Sequence, residues 1–155
     1  MRKVLFLAVA LAACAKSETP AADTAAAAAP PPPPPAPAAM TAADMRGTWN
    51  GTGKSQGSDS TVAFAFVSTS DSTAKFVFAG RKDSVNLKIK YDADSSITTS
   101  APYTDPAAPK NAGKVTFHSI AHMKDGKLVG VAHISPVAKP DTVIATVNWE
   151  ATKAP

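Results

Sequence analysis

Val85-Asn86-Leu87-Lys88-Ile89-Lys90-Tyr91 is the stretch that decides the fold, with apolar side chains at 85, 87, 89 and 91 and polar ones at 86, 88 and 90. Successive side chains of a strand point to opposite faces, so this spacing sends four apolar groups to one side and two lysines and an asparagine to the other. At helical spacing the same four would scatter around the axis. The segment therefore predicts a strand buried on one face and wet on the other.

Working outward, the same alternation turns Phe64 and Phe66 inward, then Phe76 and Phe78. It continues with Val115 and Phe117, Leu128 and Ile134, and finally Val143, Val147 and Trp149. About eight strands are expected between Met45 and Lys153. The dipeptide Asp-Ser recurs at Asp59, Asp71, Asp83 and Asp94, close to every twelve residues, and short regular spacing with turn residues predicts a hairpin meander. Asp59, Asp71, Asp92 and Asp94 are also hard oxygen donors that suit calcium. Asp and Ser nevertheless favour turns by bonding nearby backbone, and no loop of alternating acidic residues with a central glycine is present. The expected class is all-β: an antiparallel up-and-down meander forming a small barrel, with a β-sandwich as the alternative. Roughly 110 residues suffice for a core without metal or disulfide staples.

Lys124-Asp125-Gly126-Lys127 sets one register. Asp-Gly favours a two-residue type I′ hairpin, which pairs Lys124 with Lys127, Met123 with Leu128 and, farther along, His118 with His133. Directly opposed Cβ atoms lie ~5 Å apart, so two imidazoles there can share one metal ion. Zinc takes three or four protein donors, and His122 lies too far along the strand to be the third. The inner face takes Val115, Phe117, Met123, Leu128 and Ile134, which leaves the histidines outside among Ile120, Val129 and Val131. No metal site is expected, His118 and His133 being the candidate pair, and the apolar residues beside them suit a contact surface.

Gly47-Thr48-Trp49 resembles the Gly-x-Trp opening of lipocalins and related small barrels such as avidin, in which the tryptophan closes one end. The resemblance implies a meander barrel, and Trp149 near the chain's end agrees, because closing such a sheet joins first and last strands. Both tryptophans are expected in the core. Ala121, Gly130, Ala132 and Ala145 are small where the phenylalanines are large, a complementarity that favours a filled interior. The same small residues would also leave space for an apolar ligand. Ser100 to Gly113, with Pro102, Pro106 and Pro109, reads as a long loop, and its Tyr103 suits a cover over a barrel mouth.

Before the domain the chain changes character. Residues 14–41 are almost entirely Ala, Pro, Ser and Thr, with Pro30 to Pro35 in one run. Such a segment cannot build a core, and its prolines favour extended polyproline II at ~3.1 Å per residue, a semi-rigid spacer. Residues 1–13 read as a signal peptide: Arg2 and Lys3, then the apolar run Val4 to Ala10. That run falls short of the roughly 20 residues that span a bilayer.

Leu11-Ala12-Ala13-Cys14 resembles the lipobox of bacterial lipoproteins. The resemblance implies cleavage before Cys14, lipid on its sulfur and a membrane partner. Ala15, where an aspartate often retains such proteins at the inner membrane, implies the outer one. Cys14 is the single cysteine, so an exported domain has no disulfide to rely on.

The formal charge of +4 includes Arg2 and Lys3, and the other basic residues are scattered. No nucleic-acid signature results. No nucleophile elbow or metalloprotease helix appears, so neither enzyme nor cofactor is expected. The favoured reading is an envelope lipoprotein, exported and lipid-anchored, whose β-domain is an interaction or structural module facing an envelope protein. The alternative is a carrier that holds a small apolar ligand among Trp49, Phe64, Phe66, Phe76, Phe78, Tyr103 and Trp149.

Overall fold

The computed structural model describes residues 38–155. The expected lipobox and signal peptide, and the Ala/Pro-rich segment through residue 37, lie outside the described residues. After a single helical turn, α1 (Ala42–Met45), come eight strands: β1 (Gly47–Ser55), β2 (Thr61–Ser68), β3 (Thr73–Phe78), β4 (Ser84–Asp92), β5 (Ser95–Ser100), β6 (Val115–Lys124), β7 (Lys127–Pro136) and β8 (Ala145–Lys153). Each pairs antiparallel with its neighbours in sequence, and β8 returns to β1, closing the barrel. Closure leaves no strand edge free to template another chain.

The alternation that begins the argument is the one observed: Val85, Leu87 and Ile89 are buried, while Asn86, Lys88 and Lys90 are exposed. All four Asp-Ser pairs fall at the turns that join β1 to β5. Asp125 and Gly126 take φ of 51° and 75°, as a type I′ turn requires, and the register carries His118 to His133. The outward faces hold Lys75, Lys88, Lys90, Asn148 and Glu150, and also the exposed Ile120, Val129 and Val131. Among the described residues no helix is long and apolar enough to cross a membrane.

Three expectations need correction. Met123 has the inward register yet is 40% exposed, because the last rung between β5 and β6 is Ser95 with His122, and Met123 has no strand beside it on that side. Val143 is 51% exposed, since β7–β8 pairing stops at Ile134 with Ala145 and Val143 belongs to the preceding loop. The loop after β5 is shorter than the prolines suggested. Ser100 is the buried last residue of β5, and Tyr103 exchanges two backbone hydrogen bonds with Val115, each 2.9 Å.

The two ends of the barrel differ. At one end, Met40 and α1 fold beneath the strands. Met45 is 1% exposed, and its carbonyl accepts the Trp49 indole N–H at 3.1 Å. Trp49, itself 2% exposed, packs there with Leu128, Leu87, Ile89 and Ala151, while Lys153 Nζ lies 5.6 Å from its ring centroid. Gly47 reaches this position at φ 101°, a conformation that only glycine adopts freely. At the other end are the loops after β1, β3, β5 and β7, and there the interior is open.

Candidate ligand cavity

Inward positions of β2 and β3 are directly paired, Phe64 with Phe78 and Phe66 with Phe76. Their rings meet others from across the barrel. Phe64 stacks on Phe76 with centroids 4.9 Å apart and meets Trp149 edge-on at 5.9 Å. Phe76 meets Phe78 at 4.8 Å and Phe117 at 5.7 Å, and Tyr103 lies 6.1 Å from both Phe78 and Phe117. Six rings thus form one connected aromatic wall.

The wall surrounds a cavity of about 190 Å³. Its floor is Met45, Phe66, Leu87, Leu128 and Thr98; its mouth is framed by Ser55, Val62, Phe78, Ile144 and the Asp105–Pro109 segment. A cavity of roughly 150 Å³ lined by aliphatic and aromatic groups stays dry and accepts benzene, so this one is of ligand size. The expectation of a filled interior is therefore corrected. Glycine and alanine at inner positions are more than rings can fill: a Cβ at Gly130 would stand 2.7 Å from two ring atoms of Trp149, so Trp149 lies over Gly130, and Gly53, Ala132 and Ala145 border open space.

Of the residues singled out from sequence, Phe64, Phe66, Phe76, Phe78, Tyr103 and Trp149 line the cavity. Trp49 lies at the closed end and is not a lining residue. Phe117, Thr98 and Ser119 line it as well. Phe117 was legible as an inward strand residue, but Thr98 and Ser119 break the apolar pattern and left no such signal.

Of the buried hydroxyls in the barrel, those of Ser95, Ser100 and Ser119 are engaged, whereas those of Tyr91 and Ser96 have no partner. Ser119 Oγ accepts from the Trp149 indole N–H at 2.9 Å and donates to the Val131 carbonyl at 3.0 Å. Ser100 Oγ accepts from the Phe117 N–H at 2.9 Å. At the mouth, the Tyr103 hydroxyl donates to Asp105 Oδ2 at 3.2 Å, and the Ala107 N–H donates to Asp105 Oδ1 at 2.8 Å, which pins the loop. Burial, reinforced by the Asp105 carboxylate, pushes the Tyr103 phenol well above its ordinary value, so it stays protonated.

Outside the barrel, His118 and His133 stand opposite each other, both exposed. His133 Nδ1 lies 3.2 Å from Thr146 Oγ1, and His122 Nδ1 lies 3.6 Å from Asp94. Among the described residues no three His, Cys, Asp or Glu side chains converge as a metal set. Of the aspartates weighed as calcium ligands, Asp71 pairs with Arg46 at 2.8 Å and Asp59 with Lys54 at 3.3 Å. Ile120, Val129 and Val131 are exposed beside the histidines. Compared with known proteins, the chain matches no family model, no curated protein and no solved structure.

Proposed function

We propose that this protein is an exported lipoprotein, anchored in the cell envelope through lipid on Cys14, whose barrel binds a small apolar ligand. The observation that carries the binding half is the cavity of about 190 Å³ behind an aromatic wall. A packed interior would have favoured the module reading drawn first from sequence. Pockets for small ligands are concave, mainly apolar and furnished with few polar groups, and this cavity has that character. The reading is of a binding protein in which the buried hydroxyls beside Trp149 and Phe117 serve as structural hydrogen-bond partners.

The anchoring half rests on Leu11-Ala12-Ala13-Cys14. Two or three acyl chains, each buried methylene contributing about 0.8 kcal/mol, hold a protein far more firmly than one chain does. The outer membrane, with the barrel facing periplasm or cell surface, is the placement that Ala15 favours, and the Ala/Pro-rich segment acts as the spacer.

A second reading has its own observation. The exposed Ile120, Val129 and Val131 lie together on β6 and β7, and an apolar outer patch suits contact with an envelope protein.

Two experiments test the proposal. Titration of the protein with a fluorescent apolar probe should give saturable one-to-one binding, displaced by a lipid extract of the native cells. A folded protein that takes up no probe would return preference to the contact-surface reading. Cell fractionation of Cys14→Ser should give released protein or uncleaved precursor. Normal cleavage with retention in the membrane pellet would remove the lipoprotein assignment.

A further inference from the structure

One residue that lines the cavity carries a hydroxyl without a hydrogen-bond partner among the described residues. Thr98 lies on the inward face of β5, is only 7% exposed and forms part of the cavity floor. Its neighbours Ser100 and Ser119 are engaged by the Phe117 and Trp149 N–H groups. Among the described residues the Thr98 hydroxyl has no side-chain hydrogen-bond partner.

A hydroxyl that lines an apolar cavity can both donate to and accept from a bound group. The hydroxyls of Ser96 and Tyr91 are buried without partners, but neither residue lines the cavity. Charge narrows the ligand further. The lining includes no lysine, arginine or histidine, and its one ionisable acid, Asp105, sits at the mouth bonded to Tyr103 and Ala107. Arg81, 6.0 Å from the Phe78 ring, is turned to Asp83 at 3.4 Å. An ionised group carried to the floor would have no counter-charge.

Building on the ligand-binding reading above, we infer that the barrel selects an uncharged molecule of about one ring, with a single hydrogen-bonding group that meets Thr98 on the floor and an apolar body against the phenylalanines. Thr98 is thus the specificity-determining residue of the cavity. The size follows from the comparison with a benzene-sized cavity, and the orientation from Thr98 lying at the floor while the rings form the wall.

The test uses the full chain carrying Cys14→Ser, so that no attached lipid competes, with phenol and toluene as matched probes and calorimetry as the readout. In Thr98→Val, which keeps the shape and removes the hydroxyl, phenol should bind about tenfold more weakly while toluene stays within about twofold. Thr98→Ser, which keeps the hydroxyl, should hold phenol close to its original affinity, and thermal melting should show each variant folded. Benzoate at neutral pH should not bind. If both probes bind and Thr98→Val affects them equally, the role of Thr98 is overturned while ligand binding stands. Benzoate binding as tightly as phenol overturns the uncharged class. If the folded protein binds neither probe, the inference fails together with the ligand-binding reading.

Discussion

The closed and open ends of this barrel are built from the same strands and the same alternation, yet one is solid and the other hollow. At the closed end, Trp49 fills the cross-section and α1 lies beneath it, with Met40 and Met45 completing the floor. At the open end, six rings touch one another around a cavity that they leave unfilled. The difference lies in what is added to the strands. A few residues before β1 supply a plug at one end, whereas the loop after β5 bends over the other and is held by Tyr103 and Asp105. The packed core and the open cavity are thereby separated along the barrel axis.

That division is open to test. The largest effect should come from Trp49→Ala, which removes a fully buried side chain and should cost about 3–5 kcal/mol in urea unfolding. Phe76→Ala, on the wall of a space already present, should cost about 2 kcal/mol, below the roughly 3–5 kcal/mol of a fully buried ring because this one is half-buried. Equal losses would break the contrast between a packed end and a hollow one.

Gly130→Ala sharpens it. The added methyl meets the Trp149 ring and the Ile120 carbonyl, so a loss of about 1–2 kcal/mol is expected from overpacking. Trp149 should be displaced into the cavity, with altered fluorescence and weaker probe binding. Unchanged probe binding would show that Gly130 does not set the cavity's width.

The smallest effect belongs to α1. The Thr41 hydroxyl and backbone N–H both donate to Asp44 Oδ2 at 2.8 Å and hold this carboxyl below its ordinary value of 3.8. A lowered folded-state value means the contribution is present above the ordinary value and lost as pH falls through the folded one. The stability gap between the protein and Asp44→Ala should be less than about 1 kcal/mol, since the pair is exposed. It should persist down to about pH 4 and close below it. A gap that widens on acidification would show that the carboxylate does not secure the plug.

Much of the barrel was legible because its signals are local. Val85 to Tyr91 declares a one-sided strand, Asp125-Gly126 dictates a turn, and that turn carries the register as far as His118 and His133. The aromatic lining was legible for the same reason, as inward positions on strands. β5 was the difficult strand: Ser96, Thr98 and Ser100 are its inward residues, so its buried face is polar and no apolar alternation marks it. Met123 and Val143 misled for a related reason, since alternation says which way a residue points but not whether a neighbouring strand reaches that far.

By itself the sequence determined the side of the sheet on which each patterned residue lies and the places where the chain turns, because each depends on neighbours within a few residues. Tertiary structure alone decided that the interior is open and that Thr98 is left without a partner. Cavity volume and hydrogen-bond satisfaction depend on how side chains from eight strands meet across the barrel. No single strand's pattern records that meeting, because the distance between opposite walls is set only when β8 closes on β1.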